Sequence, residues 1–456
     1  MTVRRVLLLC LFLGAPLSGL AQGRVEHVVV VSIDGLRPAY YLEPDRHGLQ
    51  VPMLRRLVAA GAFAVGMQSV FPTLTYPAHT SLVTGVPPRR HGIFLNEAPD
   101  PELRFGLRWY AEDIRARTLY QAAEEKGLRT ALVFWPVSLG ARADAVFPEF
   151  WRGDRDDPKL LRALSTPGLV RGVEERFPDF WFDTPPNTQD KDLAHVAVYL
   201  IQTLRPHLLL LHMIQVDHVH HDFGLGSPEA RQAVENADAQ LGRIVRAVEE
   251  TGLWERTVLF VVSDHGFAAV ERIVRPAVLL RRAGLLSADE HGWVTGWKAA
   301  TVCGGGTCEV LLEDPTDGAA QKEVLEIFSP LPHDPASGVG RIYSPEETAA
   351  LSPDPGAFII LEAAPGFHFS SAREGEVVEP SKTRASHGYN PERPDQYASF
   401  LVAGAGVRHK RLEKVSLLDI APTIAFLLGL ELPGAEGRVL RELFGSGRQA
   451  RSGAPH

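Results

Sequence analysis

Short runs of consecutive apolar residues alternate along the chain with stretches in which apolar residues recur every three or four positions. The first pattern predicts buried strands and the second amphipathic helices. His27–Ile33 is a β-branched run ending at Asp34-Gly35. Positions 208–214 and Thr257–Val262 read as two more strands, the latter running into Ser263-Asp264-His265-Gly266. Further strands are expected at 128–135 and 398–402. Pro52–Ala60 predicts a helix with proline near its start and Gly61 after its end, and 117–126, closed by Gly127, predicts another.

The clearest helix is expected between Ser227-Pro228 and Thr251-Gly252. Ser227 suits the N-cap and Pro228 the first helical position. Ala230, Ala233, Val234, Ala237, Leu241, Ile244, Val245 and Val248 then form one buried stripe. A last helix is expected over 416–428. Strand–helix alternation of this kind predicts an α/β fold, with a mostly parallel central sheet and helices on both faces. The alternation lapses over 276–380, where glycine and proline are frequent. That stretch reads as an insertion capping a main unit made of 22–275 and 381–445, with 446–456 as a frayed tail.

Composition narrows the function. The 456 residues are 45% hydrophobic and 22% charged, which excludes wholesale disorder. A net charge of -8 speaks against binding a nucleic-acid duplex, because proteins that grip the phosphate backbone are basic. A small phosphorylated substrate stays open, since metal ions can supply local positive charge. Arg4 and Arg5, the apolar run 6–13 and the small residues around Gly19-Leu20-Ala21 predict a secretory signal over 1–21, cleaved after Ala21. A membrane anchor is the alternative, but the run is too short to span a bilayer, and no later segment is long enough either. The mature protein is expected in the periplasm or outside the cell. It would keep two cysteines, Cys303 and Cys308, around Gly304-Gly305-Gly306-Thr307. An oxidising compartment permits a disulfide across this tight loop, with two buried thiols as the other reading. The glycine run lacks the Lys-Ser/Thr ending of a phosphate-cradling loop, so it reads as loop flexibility.

The chemistry-bearing residues collect where strands end. Asp34 follows the first strand, Asp217 and His221 follow 208–214, Asp264 and His265 follow Thr257–Val262, and His387 lies before the last strand. Ligands of open parallel sheets bind beyond the carboxyl ends of the strands, so these six groups are expected on one rim. Imidazole nitrogens and carboxylate oxygens suit zinc. The four-residue step puts Asp217 and His221 on one side of a helical turn, leaving His218 and His220 out of register. Asp264 and His265 share a cleft only if the chain turns after them, and Gly266 permits a turn. In the segment 71–79, Pro77 suits the first turn of a helix reaching about Thr84, with Thr75 at its N-terminus. Free amides and the macrodipole favour an anion there, and metal coordination activates a hydroxyl. Thr73 is the rival hydroxyl, and His79 reads as a structural residue orienting the loop. Tyr76, Phe94 and Trp135 read equally as pocket walls and as core aromatics.

Ser32-Ile33-Asp34-Gly35, Thr75-Tyr76-Pro77-Ala78-His79, Val83-Thr84-Gly85, His91-Gly92-Ile93 and Asn96, with the Asp217, Asp264 and His387 motifs, resemble the nucleotide pyrophosphatase/phosphodiesterase family of the alkaline phosphatase superfamily. The resemblance implies an alkaline-phosphatase-like fold with two zinc ions. Asp217, His221 and His387 would hold one zinc; Asp34, Asp264, His265 and the Thr75 oxygen would hold the other. It further implies that Thr75 attacks phosphorus to give a phosphothreonine, hydrolysed afterwards by water. Asn96 and the Thr75 amide would hold a nonbridging oxygen. The implied substrates are nucleotide-type phosphodiesters or pyrophosphates. Two departures stand out: Ala78 replaces an asparagine and Val137 replaces the glycine of a Phe-Trp-Pro-Gly stretch. A phosphomonoesterase is the alternative activity. It calls for a Lys or Arg clamp on the terminal phosphoryl group, for which Arg142 and Lys298 are candidates. A metal-dependent binder without turnover is the alternative of another class.

Overall fold

The computed structural model describes residues 25–99, 103, 105–181, 189–291 and 293–445. The expected signal segment 1–21 and tail 446–456 lie outside them. The centre is an eight-stranded sheet of β1 (His27–Ile33), β2 (Ala62–Gln68), β3 (Thr130–Val133), β4 (Ala145–Phe147), β5 (Leu208–Met213), β6 (Thr257–Val262), β7 (Phe400–Gly404) and β8 (Lys410–Ser416). Their spatial order is β8-β2-β7-β6-β1-β5-β3-β4. β1 pairs in parallel with both β5 and β6, and β7 runs antiparallel to β6 and β2. The last expected strand therefore starts two residues late, at Phe400, and reverses direction. Periodicity carries no information on strand direction.

Alternation along β1 feeds two cores. Val29, Val31 and Ile33 face the layer holding Leu54, Leu193, Leu241 and Ile244, while Val28 and Val30 face Leu82, Leu119 and Ile424. Helix Pro228–Glu250 begins as expected, with the Ser227 hydroxyl accepting from the Ala230 amide. The 117–126 helix shrinks to Leu119–Glu125 because Thr118 and Gln121 form a capping box.

Residues 276–380 are more regular than their composition suggests. They hold an antiparallel sheet of strands Ala299–Gly304, Thr307–Leu312, Ala357–Ala363 and Val339–Tyr343, and helix Gly318–Phe328 packs on it through Ala320, Val324 and Phe328. Strand Ala268–Val274, unforeseen from the sequence, leaves the main sheet and pairs antiparallel with Val378–Pro380 and Ala385–Ser386. That ladder returns the chain to within reach of His265. No helix among the described residues is long and apolar enough to cross a membrane.

Candidate metal centre and nucleophile

The strand ends deliver their side chains to one cleft of about 350 Å³. Asp34 leaves β1 and Asp264-His265 leave β6, while Asp217 and His221 share helix Gln215–Phe223. The Asp190 carboxylate accepts from the Ile214 and Gln215 amides and so fixes the start of that helix. Two trios of ligand atoms each lie within 4.8 Å: Asp34, Asp264 and His265, and Asp217, His265 and His387. His221 Nε2 flanks the second trio, 3.5 Å from Asp217 Oδ2. His387 stacks on His265 with ring centroids 3.6 Å apart, which the return ladder makes possible.

Helix Thr75–Thr84 places the Thr75 hydroxyl 3.5 Å from His265 Nε2. Its rival is occupied: Thr73 donates to Tyr389 and Gln396 oxygens and accepts from the Gly388 amide. His79 donates from Nδ1 to the Thr75 carbonyl and accepts at Nε2 from the Ser32 hydroxyl, an orienting role. Burial, reinforced by His212, pushes it down to about 3, so it is neutral. Asn96 Oδ1 accepts the Tyr76 amide, which leaves its NH₂ free at the cleft. His218 lines the rim, and His220 turns away to bond the Tyr40 hydroxyl. Of the three aromatics, Tyr76 lines the cleft while Phe94 and Trp135 are core.

The glycines of the site act by making room. Gly266 lacks positive φ; its role is room, since a Cβ there would meet the Asp395 carbonyl at 2.3 Å. The glycine run does not supply flexibility. Added Cβ atoms would strike Leu74 from Gly304, the His387 carbonyl at 2.1 Å from Gly305 and the Tyr389 ring from Gly306. These glycines let the hairpin press against the segments before Thr75 and around His387, and a Cys303–Cys308 disulfide closes it. Arg142 and Lys298 are both exposed and neither lines the cleft. Of the departures, Val137 adopts φ 52° and packs under Tyr76 and Ile93, and Ala78 is buried in the core.

The site is charged against itself. Burial, then repulsion from Asp264 and Asp217, pushes the Asp34 carboxyl well above its ordinary range. Burial, then the charge on His265, pushes His387 down to about 3. Asp34 Oδ1, Asp217 Oδ1 and Asp264 Oδ2 are buried without hydrogen-bond partners. Buried carboxylate oxygens without hydrogen-bond partners, clustered with imidazoles, are the donor set a divalent cation satisfies, so the residues fit the implied metals.

Two further residues were not read from the sequence. His212 donates from Nε2 to Asp34 Oδ2 at 3.0 Å, and Glu149 lies against its other nitrogen at 3.3 Å. His212 had a signal, being the one polar side chain within the buried run 208–213. Glu149 had none beyond an acid between aromatics.

Fold and site together define an alkaline-phosphatase-like α/β protein with a candidate metal-binding site at its sheet rim. The profile of the type I phosphodiesterase/nucleotide pyrophosphatase family matches residues 28–390, and the chain belongs to that family. Over 252 residues it is 26% identical to human ectonucleotide pyrophosphatase/phosphodiesterase family member 1, covering 52% of this chain and 23% of that protein. It is 23% identical to venom phosphodiesterase 2 of Crotalus adamanteus, covering 53% of this chain and 27% of that one. The chain thus spans about a quarter of the length of these two relatives. Murine ectonucleotide pyrophosphatase/phosphodiesterase 5 superposes with a TM-score of 0.68 at 19% identity, over 92% of this chain and 100% of that one. An inactive variant of the murine protein has been solved with AMP at the same TM-score.

Proposed function

We propose that this protein hydrolyses phosphodiester or pyrophosphate bonds of nucleotide-type substrates, using two zinc ions and Thr75. The observation that carries this is the meeting of two carboxylate–imidazole trios beside one hydroxyl at a helix start. Asp217, His221 and His387 would hold one ion, and Asp34, Asp264, His265 and Thr75 the other. Bound zinc supplies Lewis acidity and charge neutralisation to such a site.

The chain's own residues do the rest. His79 fixes the Thr75 carbonyl and thereby the hydroxyl. Thr75 Oγ1 bonds to phosphorus as the leaving oxygen departs, and the hydroxyl proton is lost to solvent. Water then attacks the phosphothreonine, breaking the Oγ1–P bond and restoring the hydroxyl. The Asn96 NH₂, held by its bond to the Tyr76 amide, faces the charge that develops on a nonbridging oxygen. Among the described residues no Lys or Arg lines the cleft, which favours the singly charged diester over a monoester dianion.

Residues 276–380 act in this reading as a cap on the main unit. Export fits the Cys303–Cys308 disulfide, which persists in oxidising compartments. The test is a panel of bis(p-nitrophenyl) phosphate, p-nitrophenyl thymidine monophosphate and p-nitrophenyl phosphate, with and without chelator. Diester hydrolysis abolished by chelation is expected. Zinc binding without turnover of any ester would replace this reading with the binder.

A further inference from the structure

Glu149 is a buried carboxylate in the cleft wall, in strand-to-helix chain distant in sequence from every candidate ligand. Its two oxygens face different parts of the site. Oε1 accepts from the Tyr76 hydroxyl at 3.0 Å and from Trp151 Nε1 at 3.5 Å. Oε2 has no hydrogen-bond partner but lies at ion-pair distance, 3.3 Å, from His212 Nδ1, which donates to the Phe134 carbonyl at 3.2 Å. Phe134 reaches that nitrogen from a left-handed backbone conformation, φ 51°, uncommon for a bulky residue. On its other side the His212 ring donates from Nε2 to Asp34 Oδ2, while Asp34 Oδ1 has no hydrogen bond and faces His265 Nε2 at 3.3 Å.

Resting on the proposed two-zinc reading, we propose that Glu149 is a positioning residue: through His212 it orients Asp34 so that only Oδ1 meets the metal, and through Tyr76 it ties that ligand to the residue following Thr75. A carboxylate with two equivalent oxygens can rotate or chelate. Binding one of them to a fixed donor removes that freedom, and the donor needs its own fixed partner. His212 is wholly buried, and its far edge is held by a hydrogen bond to the Phe134 carbonyl and by the ion-pair contact with Glu149. The chain Tyr76–Glu149–His212–Asp34 therefore couples nucleophile loop and ligand by side chains alone.

The experiment is a two-step zinc titration of the metal-free full chain against a chromogenic chelator, for wild type, Glu149→Gln, Tyr76→Phe, His212→Ala and the Glu149→Gln/His212→Ala double variant. Glu149→Gln is nearly isosteric but sets an NH₂ or a bare carbonyl against His212. It is expected to weaken one zinc step about 10-fold and leave the other unchanged. The double variant should bind no worse than His212→Ala, because both act along one path. Tyr76→Phe should give a smaller loss in the same step and keep the fold should the others fail to. Unchanged steps, equal loss in both steps, or additive losses in the double variant would overturn the proposal. Absence of any zinc step in wild type would instead remove the two-zinc reading beneath it.

Discussion

The rim of the central sheet and the hairpin at 299–312 serve the same cleft in opposite ways. The rim works through side chains: Asp34, Asp217, Asp264 and His265 each stand at or just beyond a strand end. The hairpin adds none to either trio; it works through the lack of side chains at Gly304–Gly306, which lets its backbone press against the Leu74 side chain, the His387 carbonyl and the Tyr389 ring. Chemistry at the rim should therefore fail by losing functional groups. At the hairpin it should fail by gaining atoms.

The largest effect expected is at the rim. Thr75→Ala should lower kcat for a diester by at least about 10³-fold while zinc content and melting temperature persist. Near-wild-type turnover in steady-state assays would mean that the rim works without its hydroxyl.

At the hairpin, Gly305→Ala sharpens the contrast. Gly305 has φ 54°, and its Cβ would sit 2.1 Å from the His387 carbonyl. Urea denaturation should show a loss of about 2–4 kcal/mol, together with weaker zinc binding. A tolerated alanine would restore the flexible-loop reading.

The second sheet also carries a pH signature that the rim does not need. Burial raises the Glu309 carboxyl to about 8, with Asp354 adding to the shift, against an ordinary value of 4.5. The folded state thus holds a proton that the unfolded chain releases. The associated stability is complete below about pH 4.5 and falls away as pH rises through about 8. Glu309→Gln should match wild type in thermal melts at pH 5 and exceed it at pH 9 by up to a few kcal/mol. Equal curves at both values would contradict it. The smallest effect belongs to Arg142→Ala and Lys298→Ala, expected to change monoester and diester kcat/KM less than about twofold. A selective loss of monoester turnover would revive the clamp.

The same contrast explains what was legible in the sequence. β1, β6 and helix Pro228–Glu250 follow from apolar runs and caps because their residues are buried in unbroken patterns. The rim side chains could be read because Asp and His at strand ends have few uses. The Gly304–Gly306 contacts could not, since a glycine looks the same whether it gives freedom or room. Strand Ala268–Val274 and the reversal of β7 depend on partners more than a hundred residues away. Glu149 stayed hidden because its meaning lies in His212 and Tyr76, which come from other segments.

The central claim is that side chains from distant segments hold two divalent ions beside one threonine. A crystal structure of zinc-loaded protein, with anomalous data at the zinc edge, tests it most directly. The account predicts two peaks about 4 Å apart, one against Asp217, His221 and His387 and the other against Asp34, Asp264, His265 and Thr75. A single peak, no peak, or peaks remote from the Thr75 hydroxyl would contradict it.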